Sequence, residues 1–412
     1  MGRISPQARR VVPVLAGLVL TGCMGLGRQA PAPVEQRGAE SPAAAASAVS
    51  APPPPGTLQR ARSRWVPAAF GELPGWGSDR VAELWPALRL SCATAAGQGP
   101  VAVDPAWGGV CQQVRQFFPT DDVQARLWVE QRFRVFRVES HEGEPTGLLT
   151  GYFEPLVEAS RKPTRTRRVP LHAAPADLGQ RKPYWTRQEL DTLPAAQAAL
   201  KGREIAWVED PLDALVLQIQ GSGRLRLTEA DGSTRLVRLA FAGHNDQPYR
   251  SVGRWLIDQG ELAPGEASWP AIKDWARRHP KRVQEMLWQN PRTVFFREEP
   301  LPDPALGPRG AQGVPLTPGR SIAVDPQSVP YGTPVWLDAT EPLSSRPLQR
   351  LVMAQDTGGA IVGAVRADYF WGWGDDAEQQ AGRTKQALRV WVLWPRDGAG
   401  PAAAAAVVKA TG

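Results

Sequence analysis

Gln355-Asp356 ends the apolar run Leu351-Val352-Met353-Ala354 and leads into Thr357-Gly358-Gly359. A carboxylate at a strand end beside a glycine turn is placed to meet a ligand. Twelve residues further on, Asp368 stands in a second strand-like run, Ala367-Asp368-Tyr369-Phe370, followed by Trp371-Gly372-Trp373-Gly374-Asp375-Asp376. The two carboxylates can face one cavity, and the nearby indoles suit the face of a sugar ring. Glycoside cleavage needs a carboxyl group that stays protonated near neutral pH, and an aromatic, low-dielectric pocket raises its pKa as required. The competing role for any Asp beside Gly is a turn residue that hydrogen-bonds its own backbone.

The elements that would position these groups are mostly strands. Helical spacing is seen over Val81–Leu90, Asp121–Arg134 (capped by Thr120-Asp121, with Val123, Leu127, Trp128 and Gln131 down one side), Ser251–Gln259 and Ala271–Trp288. Phe133–Val138 and Gly147–Phe153 read as strands, and the alternating runs around Asp231-Gly232 read as a hairpin. From Val294 onward only short strands are expected, at 294–296, 321–324, 334–337, 351–354, 361–365 and 387–394, as in a compact barrel. The 41 prolines and 40 glycines in 412 residues argue against a helical bundle, and the 16 tryptophans offer indole surfaces for stacking.

The ends are of another kind. Arg3, Arg9 and Arg10 precede the apolar run Val11–Leu20, too short for a finished membrane span, which ends in Leu20-Thr21-Gly22-Cys23. Residues 1–22 therefore read as a signal peptide that resembles a bacterial lipoprotein leader, with Cys23 as the lipidated mature N-terminus and Met24 favouring the outer membrane. Residues 23–64 read as a disordered tether, since nineteen of the 27 residues from Ala30 to Gly56 are Ala, Pro or Ser; 396–412 reads as a tail. Without the three leader arginines the net charge falls from +7 to +4, too little for a nucleic-acid surface. The remaining cysteines, Cys92 and Cys111, can form a disulfide in an exported chain, but with four histidines they make no zinc pattern. No cofactor is called for.

Several blocks resemble a known family. Gly313-Val314-Pro315-Leu316, Ser321–Pro326, Val329–Trp336, Gln355–Ile361 and Ala367-Asp368-Tyr369 look like the 3D domain, whose three aspartates match Asp325, Asp356 and Asp368. Upstream, Thr150-Gly151-Tyr152-Phe153-Glu154-Pro155, Gln218–Arg224, Ala242–Arg254 and Gln289–Phe296 resemble the membrane-bound lytic transglycosylase A (MltA) family. The resemblance implies a mainly β chain with some helix: a double-psi β-barrel from 65–154 and 291–395, interrupted by a second β-rich domain at 155–290, with a glycan groove between them. It further implies exolytic cleavage of the β-1,4 MurNAc–GlcNAc bond of peptidoglycan without water, at the periplasmic face of the outer membrane.

By position the family's catalytic aspartate falls on Asp368, which would act first as acid and then as base, with Asp356 in support. Thr150, Gly151, Tyr152, Gln220, Ser222 and Tyr249 would bind the glycan strand. For Phe153 the alternative is barrel core, for Gln220–Gly223 a plain turn before the hairpin, for Ser251 a helix cap, and for Asp325, which precedes Pro326, a structural turn. Val362-Gly363 and the two tryptophans of 371–376 depart from the family pattern, which bears on subsite contacts. The expected partners are the glycan strand, lipid through Cys23, and other cell-wall enzymes, with the chain itself a monomer. A muramidase using water and a glycan-binding lipoprotein without catalysis are the alternatives.

Overall fold

The computed structural model of the chain describes residues 53–94, 103–301 and 303–400. The leader, Cys23, most of the tether and residues 401–412 of the tail lie outside the described residues. The strands are β1 (Leu58–Gln59), β2 (Arg64–Ala68), β3 (Phe133–Glu139), β4 (Gly147–Glu154), β5 (Leu156–Ser160), β6 (Val169–His172), β7 (Glu204–Val208), β8 (Gly223–Thr228), β9 (Thr234–His244), β10 (Val294–Pro300), β11 (Ser321–Val324), β12 (Pro334–Thr340), β13 (Pro347–Asp356), β14 (Arg366–Trp373) and β15 (Lys385–Pro395).

They form two sheets. In the larger, the order β15-β12-β13-β11-β14-β4 closes on itself, because the start of β15 pairs with β4. The pairs β11–β13 and β14–β4 are parallel and the others in this ring antiparallel. β3, β2 and β1 extend the sheet from the far end of β15. The smaller sheet runs β10-β9-β8-β5-β7-β6, and an Ala173–Phe296 bridge brings its two edges together. Only Pro155 separates β4 of the barrel from β5 of the smaller sheet.

The core shared by the larger sheet and its helices takes up many of the tryptophans. Trp65, Trp107, Trp336 and Trp394 are wholly buried, with Trp394 5.5 Å from Trp65 and 5.8 Å from Trp107 between ring centres. Much of the indole surface expected to be free for stacking is therefore spent on the core, where large aromatic area contributes most. Helices Trp85–Cys92 and Trp107–Gln116 carry the Cys92–Cys111 disulfide. Gln355 anchors the first of them to β13, donating to the Ala87 carbonyl (2.9 Å) and Ser91 hydroxyl (2.8 Å).

The hairpin around Asp231-Gly232 forms as expected, with Thr228 opposite Thr234. Asp121 caps the helix Asp122–Arg132 through the Gln124 amide, and Ser251 caps Val252–Asp258 through Arg254. Other expectations need correction. Of the expected side only Trp128 is buried: Val123 and Leu127 are exposed, and the helix turns Ala125 and Val129 inward with Trp128. The helix expected over 271–288 is two, Trp269–Arg278 and Val283–Trp288, since Pro280 cannot supply the amide needed to continue.

Val294–Pro300 does not join the barrel but pairs with β9, burying Phe295 and Phe296 in the smaller unit. Residues 361–365 form no strand: the Gly363 amide donates to Asp325, and the segment turns. The last part of the chain is not all strand either. Asp375–Arg383 is a helix whose first turn holds Asp375, Asp376 and Glu378, where the helix dipole favours negative charge, while Ala377 and Ala381 are buried.

Candidate active site

Register places the two aspartates in one row. Ala323 of β11 is opposite Asp356 of β13 on one side and Asp368 of β14 on the other, and Asp368 is opposite Thr150 of β4. Two strand spacings of about 4.8 Å put the aspartate backbones roughly 10 Å apart. Because alternate residues share a face, Thr150 and Tyr152 on β4 and Arg366, Asp368 and Phe370 on β14 project together, and the Tyr152 and Phe370 rings meet at 5.2 Å.

The two carboxylates are held differently. The Thr150 hydroxyl donates to Asp368 Oδ1 at 2.5 Å, and no group among the described residues donates to Oδ2. Asp356 has both oxygens engaged, Oδ1 by the Ala311 amide (2.9 Å) and Oδ2 by the Tyr152 hydroxyl (3.0 Å). Burial pushes the Asp368 carboxyl up to about 6, with nearby Asp356 adding to the rise and Thr150 and Arg366 opposing it. Burial likewise raises Asp356, against the amide and hydroxyl donors around it. Tyr152 is pushed well up by its own burial and by both carboxylates, so its phenol keeps its proton and stays a donor.

The other expected residues are more scattered in what they do. Gln220, at the end of the helix Pro211–Gln220, accepts from the Phe153 amide at 3.3 Å, so the smaller unit reaches the end of β4 beside Tyr152. Gly221 follows in the left-handed region (φ 76°) and ends that helix, leaving Ser222 partly exposed before β8. Tyr249 is 44% exposed on the loop before the Ser251 cap. Phe153 is core, clustered with Val216, Ala377 and Ala381.

Gly151 is a packing position: a Cβ there would lie 2.6 Å from Trp371 Nε1 and 2.8 Å from Thr384 Oγ1. Gly151→Ala should therefore lower the thermal midpoint and, by displacing β4, reduce activity; a calorimetric scan beside an activity assay checks both. Trp371 packs on this reverse face, against Tyr369, because it is out of phase with Asp368. Trp373 lies under the Arg224 guanidinium at 3.9 Å. Both indoles therefore have protein partners, Trp371 also donating to the Thr384 hydroxyl at 3.0 Å.

Asp325 is structural: its carboxylate accepts from the Gln327 and Gly363 amides at 2.9 Å and pairs with Arg62 at 3.3 Å. It ties the 357–363 loop to β11, as does the Thr357 hydroxyl bonding the Val324 carbonyl at 2.7 Å. Sequence reading passed over Arg366, although its two-residue offset from Asp368 was a signal for a shared face. A recess of about 410 Å³ lined by Phe153, Asp210, Asp213, Lys273 and Glu378 contains neither aspartate. Carboxyl chemistry rather than recess volume locates the site. Among the described residues no cluster of His, Cys, Asp and Glu is arranged to hold a metal.

Residues 148–297 match the family model of the MltA-specific insert domain, and residues 320–394 that of the 3D domain. The chain is 34% identical to the membrane-bound lytic murein transglycosylase A of Vibrio cholerae over 254 residues, which span 60% of this chain and 65% of that protein. It is also 34% identical to the Escherichia coli protein of the same name over 273 residues, or 65% of this chain and 70% of the other. A structure of that protein with bound chitohexaose has a TM-score of 0.61 at 27% identity, covering 82% of this chain and 93% of the other. The lytic transglycosylase LtgG of Burkholderia pseudomallei is 46% identical with a TM-score of 0.58, over 82% of this chain and 97% of that one. Likeness at this identity, with the insert and the barrel's second part matched in the same order, extends beyond the fold to the sequence itself: the chain belongs to the membrane-bound lytic murein transglycosylase A family.

Proposed function

We propose that the protein cleaves the β-1,4 bond between N-acetylmuramic acid and N-acetylglucosamine in peptidoglycan without water, leaving a 1,6-anhydromuramic end, with Asp368 as the single acid and base. The observation that carries this reading is the contrast between the carboxylates. Asp368 keeps one oxygen without a protein donor and has a pKa raised to about 6, whereas both Asp356 oxygens are occupied. A hydrolase of this bond typically sets a second carboxylate on water or on the sugar, and here both oxygens of Asp356, the other carboxylate of the row, already accept from the protein.

Protonated Asp368 gives its proton to the glycosidic oxygen as the C1–O4 bond breaks. The resulting carboxylate then removes the proton from the muramic C6 hydroxyl as that oxygen bonds C1, returning Asp368 to its starting form. One group serves both steps because the nucleophile belongs to the substrate. Thr150 holds the carboxyl in place, while Asp356 fixes the Tyr152 phenol and adds to the rise that burial gives the Asp368 pKa. Tyr152, Gln220, Ser222 and Tyr249 are proposed to contact the glycan strand; the chitohexaose complex of the Escherichia coli relative supports a glycan as ligand.

The same reading puts the enzyme at the periplasmic face of the outer membrane through a lipid on Cys23. The curated relatives are described as membrane-bound, and no helix among the described residues is long and apolar enough to cross a membrane. Digestion of purified peptidoglycan followed by mass analysis tests the chemistry: anhydro ends are expected, and reducing muramic ends would establish a hydrolase instead. Because the free enzyme must start with Asp368 protonated, kcat/KM should fall about tenfold per pH unit above about 6. A profile flat from pH 5 to 8 would contradict that assignment.

A further inference from the structure

We infer that Arg366 is a positioning residue for the reaction, acting through Thr150 to fix which oxygen of Asp368 carries the working proton. This rests on the assignment of Asp368 as acid and base. Arg366 Nη2 donates to Thr150 Oγ1 at 2.9 Å, and Thr150 Oγ1 lies 2.5 Å from Asp368 Oδ1. A guanidinium has donors only, so the Thr150 hydroxyl must accept from it, and its single proton is then directed to the carboxylate. With Oδ1 receiving that proton, the titrating proton of Asp368 sits on Oδ2, the oxygen without a protein donor among the described residues.

The guanidinium is fixed in this role by its other contacts. Arg366 Nη1 donates to the Ala367 carbonyl at 2.5 Å and to Leu148 at 3.4 Å, which spans the parallel β14–β4 pair. No carboxylate within salt-bridge distance takes its charge among the described residues, and Asp368 lies one hydroxyl away. Asp368 is further faced by Tyr152 on β4 and by Asp356 from β13, while Ala323 of β11 adds no charge and Lys385, opposite Thr150 on β15, is exposed. The positive charge opposes the upward push of burial and of Asp356, so Asp368 can give a proton in one step and take one in the next.

The test is the pH profile of anhydromuropeptide release by the full chain carrying Arg366→Met, Arg366→Lys, Thr150→Val, or Arg366→Met with Thr150→Val, beside Asp368→Asn. Arg366→Met should lower kcat ten- to a hundredfold with little change in KM and move the alkaline limb upward. Thr150→Val should shift it the same way, the double variant should lose no more kcat than the larger single loss even where the two shifts of the limb add, and Arg366→Lys should recover part of the loss. A wild-type profile and rate in Arg366→Met, or additive losses in the double variant, would overturn the inference. Should Arg366→Met not fold, insensitivity of the profile to Arg366→Lys in the Thr150→Val background, with sensitivity in the wild type, still decides it. If Asp368→Asn itself stays active, the underlying assignment fails instead, and the two failures are distinct.

Discussion

Asp368→Asn should reduce release of anhydro ends by about a thousandfold or more while leaving the protein folded. General acid and general base catalysis each contribute roughly 10²- to 10⁴-fold, and here one side chain supplies both. The substitution keeps the size of the side chain and an oxygen for the Thr150 hydroxyl, so the barrel row from Asp356 to Thr150 is undisturbed. Stability should move the other way. The folded carboxyl titrates at about 6 rather than near 3.8, so the native state binds more protons than the unfolded chain between those values and loses stability as pH rises through that window. Asn does not titrate, so the variant should melt above wild type at pH 7 and lose this part of the slope between pH 4 and 6. Calorimetry at pH 4 and 7 beside the activity assay measures both. An inactive variant that also melts earlier at pH 7 would mean the loss is structural, and an active one would remove Asp368 from the chemistry.

Glu154→Ala is expected to destabilise the protein by about 3–5 kcal/mol, the usual result of removing one partner of a buried ion cluster. Glu154, the last residue of β4, is fully buried and receives Arg224 Nε at 2.7 Å and Arg238 Nε at 2.6 Å from strands β8 and β9 of the smaller sheet. The same arginines donate to the Leu306 carbonyl, and Arg224 also to Pro304 at 2.7 Å, on the connection that returns the chain to the barrel. One carboxylate thus joins the outgoing strand, the smaller sheet and the returning loop at the boundary of the two units. Without it two guanidinium groups remain buried and uncompensated. Denaturant unfolding should show the loss, and activity should fall as well, since Tyr152 is only two residues upstream. A change under 1 kcal/mol would mean that solvent or relaxation reaches the arginines. Replacing Glu154, Arg224 and Arg238 together by apolar residues should cost less than Glu154→Ala alone.

Local rules carried much of the fold into view. The Asp231-Gly232 hairpin, the Asp121 and Ser251 caps and most barrel strands depend on neighbours within a few residues, so their residue types sufficed. Thr150, Tyr152, Asp356 and Asp368 were identified through motif order, and strand pairing then brings them to one face. What only the tertiary structure decided was set by partners distant in sequence. Whether Val294–Pro300 joined the barrel or the smaller sheet depended on β9, and whether Gly151 touched ligand or Trp371 depended on the reverse face of β4. The same holds for the chemistry: that Asp356 is occupied on both oxygens by Ala311 and Tyr152 while Asp368 keeps one open cannot be read from two similar aspartates. Sequence determined which groups were available, because residue type and local period are written in it. Packing determined which was left free to react, because desolvation and hydrogen-bond occupancy arise only when distant strands close the barrel.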